Sequence, residues 1–169
     1  ANCFAAELGD GWTRGKLGFM YLFDNYGTKI SLLAQLEITY TDGSKDVVAT
    51  NESWKVSTGE IQFGDIYDGS TIDFTKEQKG WKLAGFNDNN WSAPTIHTVK
   101  RELLEPRVST RVVEVAEFPA RILDTNNRTL IDFSQNISGW VRLVVDGKKG
   151  DTVTIRHAEV LEEGPTLHT

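Results

Sequence analysis

Cysteine is almost absent from this 169-residue chain, which has Cys3 and no other. An intrachain disulfide is therefore excluded, as is any metal centre built from several thiolates. Histidine is equally sparse, with His97, His157 and His168 far apart and none in the paired spacing of a zinc site, so no transition-metal centre is expected. No apolar run reaches the length needed to cross a bilayer, since the richest segments, Leu32 to Leu36 and Val141 to Val145, are strand-sized. Residues Ala1 to Leu8 have neither the basic start nor the hydrophobic length of a signal peptide, and the compartment is left undecided. A surplus of positive charge is missing too: the net charge is −6, which speaks against a broad surface for nucleic-acid phosphates. Convincing amphipathic helices are absent, apart from room for one turn at Leu83 to Phe86 or Glu102 to Glu105.

What the chain has is β-pattern. Ile30 to Thr50 reads ISLLAQLEITYTDGSKDVVAT, two β-branched runs separated by Asp42-Gly43. A tight hairpin turn needs positive φ, which Gly adopts freely and Asp tolerates, so a hairpin is predicted there. A second is predicted over Trp140 to Val160, where Trp140 to Val145 and Thr152 to Val160 flank the turn residues Asp146 to Asp151. Its second arm alternates, with Val153, Ile155, His157 and Glu159 on one face and Thr154, Arg156, Ala158 and Val160 on the other. Of Arg142 and Arg156, on neighbouring arms, one is a candidate to pair with an acidic residue across the strands. Thr95 to Val99, Arg107 to Val115 and Leu130 to Phe133 read as further β-rich segments, with a turn at Asp124 to Arg128.

Between these lies Gly80 to Trp91, dense in Gly, Asn and Asp, which predicts an ordered irregular loop anchored by Trp81, Phe86 and Trp91. The charged segment KRELLEP at Lys100 to Pro106 reads as a connector, dividing the chain into modules 1–101 and 102–169. The fold class is all-β, built as sandwiches. The first residues look like the middle of a strand and Gly164 to Thr169 carries no closing element, so both modules are expected to be incomplete, parts of a larger protein.

Four segments together resemble the accessory modules that precede the catalytic domain of bacterial-type α-L-rhamnosidases. They are LGDGWTRGKLGF at Leu8 to Phe19, DIYDGSTID at Asp65 to Asp73, GFNDNNW at Gly85 to Trp91, and DFSQNISGWVRL with IRHAEVLEEG between Asp132 and Gly164. The resemblance spans nearly the whole chain. It implies a jelly-roll, galactose-binding-like module followed by a second β-sandwich that leads into a catalytic α/α barrel. One departure is Ser70, where members of the family usually carry Glu after the Tyr-Asp-Gly triplet.

Enzymes of that kind invert configuration, which requires an acid and a base roughly 6.5 to 9.5 Å apart with water between them. In the family both carboxylates lie in the barrel, so this chain alone is expected to be inactive. His157, Glu159 and Glu162 have acid/base chemistry, yet the segment HAEVLEEG reads more simply as a strand edge facing solvent or the barrel. In the same way Asp132, Gln135 and Asn136 are read as satisfying backbone groups at a bend before Trp140. Sugar binding is the better functional hypothesis. Trp12, Arg14, Tyr67 and Asp68 combine aromatic faces for C–H surfaces with planar polar groups for hydroxyls, in Gly-rich loops that let a ligand approach. The competing reading makes Trp12 a core plug and Asp68 a turn cap. Some related modules bind L-rhamnose with calcium, for which the oxygen-rich Asp65, Asp68 and Asp88 to Asn90 are the candidates, although they match no calcium-loop pattern. The expected partners are thus the catalytic barrel and a rhamnosyl carbohydrate, with no nucleic acid and no membrane. A purely structural module and an autonomous lectin-like module are the alternatives.

Overall fold

The computed structural model describes residues 2–18, 20, 22–125 and 128–160. Strands dominate the regular structure and all of them pair antiparallel, so the chain is all-β, as its residue pattern predicts. Among the described residues, helix is confined to α1 (Gly11–Arg14) and two 3-10 turns, Phe74–Lys76 and Arg101–Leu103. No helix among the described residues is long and apolar enough to cross a membrane. Contacts divide the chain into two units, Ala1–Glu102 and Leu103–Thr169.

In the first unit, β1 (Gln35–Thr39) pairs with β2 (Lys45–Ala49) in the register Gln35 to Ala49 through Thr39 to Lys45. This is the hairpin expected at Asp42-Gly43. Gly43 takes φ +85° and donates to the Tyr40 carbonyl, while Asp42 Oδ1 accepts from both Ser44 N (2.9 Å) and Ser44 Oγ (2.6 Å). The side chain thereby satisfies turn groups that the ladder leaves over. A second hairpin joins β3 (Ile61–Asp65) to β4 (Gly69–Ile72), with a register shift between Ile61 and Phe63 and Gly69 at φ +78° closing the turn. The predicted aromatic anchors also meet. Trp91 packs 5.6 Å from Phe86 and 6.2 Å from Trp81, and its indole donates to Gln78 Oε1 at 2.7 Å.

In the second unit, β5 (Arg121–Thr125) pairs with β6 (Arg128–Asp132), the connection falling within the predicted Asp124 to Arg128 turn. Asp132 Oδ1 accepts from Ser134 N at 2.8 Å, the backbone-satisfying role expected of it. The hairpin expected over Trp140 to Val160 is not formed as a ladder. Its turn closes, through Asp151 N to the Lys148 carbonyl (3.0 Å) and Lys148 N to Asp151 Oδ2 (2.7 Å), but the arms carry no strand pairing. Alternation marks a segment that pairs once one face is covered; here Val144 is 90% exposed, so nothing offsets the ordering cost of about 1 to 2 kcal/mol per residue. Arg142 accordingly finds its acid outside that hairpin, at Glu117 Oε1, 3.1 Å away. The segments Thr95 to Val99 and Arg107 to Val115 carry no strand either. No hydrophobic side chain among the described residues is buried.

Candidate functional site

One acidic residue organises the first unit's loops. Asp65, at the end of β3, is the single buried polar or charged side chain among the described residues. Its Oδ1 accepts from the backbone amides of Tyr67 (2.8 Å) and Asp68 (3.0 Å), which fixes the Ile66 to Asp68 turn. Its Oδ2 accepts from the amide of Lys16 at 2.7 Å, far away in the sequence. The Lys16 amide, chiefly, with those of Asp68 and Tyr67 and the Lys16 charge, holds the Asp65 carboxyl below the usual carboxylate range, against a smaller opposing effect of burial.

The partner loop is shaped to reach this carboxylate. In α1, Gly15 N donates to the Gly11 carbonyl (3.1 Å), and Gly15 then leaves in an extended conformation. A β-carbon at Gly15 would stand 2.4 Å from Gly11 O and 2.6 Å from Asp65 Oδ2, so a larger residue there cannot coexist with the contact. Lys16 adds a second tie, its Nζ lying 2.5 Å from Asp68 Oδ2, and it also sits 5.6 Å from the centre of the Phe23 ring. The segments LGDGWTRGKLGF and DIYDGSTID, two of the four that carry the family resemblance, are therefore joined through Asp65 and Asp68.

The predicted sugar-binding residues fall on these two loops. Trp12, on α1, is 58% exposed. Tyr67 is also exposed, at 51%. Arg14 is clasped by two carboxylates, with Nε 3.4 Å from Asp10 Oδ1 and 3.9 Å from Asp24 Oδ1. That Nε is itself buried and makes no hydrogen bond, so charge alone holds it. Asp24 adopts φ +57° and donates its amide to the Arg14 carbonyl at 3.1 Å. Asp68 Oδ2 is paired with the Lys16 ammonium group. Sequence reasoning did not single out Gly15, Lys16, Asp10 or Asp24. The Gly-Lys pair following α1 was the available signal, but its partner stands in another motif.

The other candidates are not brought together. His97, His157 and Glu159 are exposed on segments without regular structure, while Glu162 and His168 lie outside the described residues. Among the described residues no three His, Cys, Asp or Glu side chains gather to hold a metal ion. Of the oxygens considered for calcium, those of Asp65 are engaged by three amides and Asp68 by an ammonium group. Asn87 Oδ1, at the edge of the Asp88 to Asn90 loop, accepts from the Asn89 amide at 3.2 Å.

Comparison with known proteins gives consistent matches. A model of the α-L-rhamnosidase N-terminal domain matches residues 1–117, and one of the bacterial α-L-rhamnosidase concanavalin-like domain matches residues 122–169. An α-L-rhamnosidase of Streptomyces avermitilis is 37% identical over 172 residues, covering 100% of this chain and 17% of that protein. One from Formosa agariphila is 37% identical over 176 residues, covering 99% of this chain and 18% of that protein. The crystal structure of native α-L-rhamnosidase from Aspergillus terreus aligns with a TM-score of 0.69 and 36% identity, over 76% of this chain and 15% of that one. The chain thus spans less than a fifth of these relatives.

Proposed function

The chain belongs to the α-L-rhamnosidase family, whose N-terminal domain it matches, and from that premise we propose that it is a non-catalytic accessory module of an enzyme that hydrolyses terminal α-L-rhamnosyl residues. Its task is to support the catalytic α/α barrel of the same polypeptide. The observation that carries this reading is the absence of any buried hydrophobic side chain among the described residues, with Val108, Val115 and Val144 almost wholly exposed. Apolar surface left in water forgoes about 25 cal/mol per Å², so faces of this kind are stabilised when another domain covers them. In this reading the remainder of the rhamnosidase polypeptide is that cover. An assay of this chain with a chromogenic α-L-rhamnoside is expected to show no hydrolysis; turnover that tracks the purified chain sinks the non-catalytic reading.

A second role, weak binding of rhamnosyl sugar at Trp12, Arg14, Tyr67 and Asp68, is supported by the exposure of both aromatics on loops tied through Asp65. Calorimetric titration with L-rhamnose, with and without calcium, tests it. Saturable heat that disappears in Trp12→Ala with the fold intact supports binding; no heat at millimolar sugar leaves the module purely structural.

A further inference from the structure

Resting on that sugar-binding reading, we infer that Asp65 is the positioning residue of the site: its carboxylate joins the Trp12–Arg14 loop and the Tyr67–Asp68 turn into one binding surface, without itself touching the sugar. Two loops from distant parts of the chain bind one ligand well only if their relative position is set before the ligand arrives, because ordering them on binding weakens affinity. Four contacts among the described residues bridge or brace these loops. Lys16 N donates to Asp65 Oδ2 (2.7 Å), Tyr67 N and Asp68 N donate to Asp65 Oδ1 (2.8 and 3.0 Å), and Lys16 Nζ pairs with Asp68 Oδ2 (2.5 Å). Asp65 is the member common to both loops' backbones, and it is buried whereas Trp12 and Tyr67 are exposed. A buried acceptor serving amides from two loops fixes backbone position; the exposed aromatics Trp12 and Tyr67 carried by those loops supply contact area. Gly15 completes the device, since its missing side chain is what allows the Lys16 amide to come within hydrogen-bonding reach.

The test is rhamnose titration of the full chain as wild type, Asp65→Asn, Gly15→Ala and Trp12→Ala, followed by calorimetry and by amide and indole NMR. Asp65→Asn can keep one carbonyl acceptor but places an NH2 group against one set of amide donors. The expected result is a Kd raised about tenfold or more in both Asp65→Asn and Gly15→Ala. The Lys16 amide should lose its protection and the Trp12 indole resonance should no longer shift on adding sugar, while the β1–β2 amide resonances stay in place. A merely structural role would also move the amides at the far end of the β3–β4 hairpin, Ile61 and Ile72. If Asp65→Asn fails to fold, Gly15→Ala decides, provided the Trp12 and Arg14 amide resonances of α1 stay in place: its β-carbon crowds Asp65 Oδ2 as well as the Gly11 carbonyl, and it substitutes none of the four sugar-facing residues. Wild-type affinity retained in a folded variant that has lost the Lys16 contact overturns the inference and leaves the sugar site standing. No binding by the wild type removes the sugar site and, with it, this role for Asp65.

Discussion

The indole Nε1 of Trp91 donates to Gln78 Oε1 at 2.7 Å, and the amide end of the same Gln78 donates to Ser57 Oγ (2.8 Å) and the Thr58 carbonyl (2.7 Å). One side chain thus couples the aromatic loop to the irregular segment before β3. Gln78→Leu leaves the part-buried indole donor without its acceptor, and a loss of about 1 to 2 kcal/mol is expected. Urea unfolding followed by tryptophan fluorescence measures it; an unchanged midpoint would show that the link carries no stability.

Gly43 occupies φ +85° in the β1–β2 turn, where an added β-carbon meets no atom within 4 Å. The cost of Gly43→Ala is therefore conformational rather than steric against neighbours, about 1 kcal/mol. The drop should appear in the β1–β2 amides by hydrogen exchange ahead of the rest of the unit, and equal protection in both proteins would contradict the turn assignment.

Among the described residues, three carboxylates have depressed pKa values: Asp65 through the Lys16 amide, Asp42 through the Ser44 hydroxyl, and Asp73 through the Thr75 hydroxyl. A carboxyl with a lower pKa in the folded state binds its proton less readily there than in the unfolded chain. Its stabilisation is fully present above the unfolded value of about 3.9 and is lost as the pH falls through the depressed folded value. Unfolding midpoints should hold steady down to about pH 5 and then decline. Asp65→Asn is expected to flatten part of that decline, and a slope identical to wild type would deny Asp65 its share.

Exposed side chains such as Met20, Leu103 and Ile122, together with unpaired strand edges, predict self-association of the isolated chain. Sedimentation velocity over a concentration series should show growing species, and a dye that fluoresces on apolar surfaces should bind. A monodisperse monomer that leaves the dye dark would mean that these faces are covered in solution.

Some of this architecture is legible in the sequence alone because it is local. The all-β class follows from β-branched runs without helical periodicity, and the β1–β2 hairpin from Asp42-Gly43, since turn geometry and residue φ preference are properties of neighbouring residues. The aromatic loop could be read as needing Trp81, Phe86 and Trp91, which do meet. The β3–β4 hairpin is less legible, because the alternation of Ile61 and Phe63 ends at Asp65 after two apolar positions and the register shifts between Ile61 and Phe63. Over Trp140 to Val160 the pattern promises strands but cannot say whether a partner covers them, which is a matter of tertiary burial rather than of alternation. For the candidate site, sequence could nominate Trp12, Arg14, Tyr67 and Asp68 by chemistry alone. That Trp12 faces solvent, that Asp68 is spent on Lys16, and that Asp65 joins two distant loops were decided only in three dimensions, where a single carboxylate collects amides that the order of the chain keeps far apart.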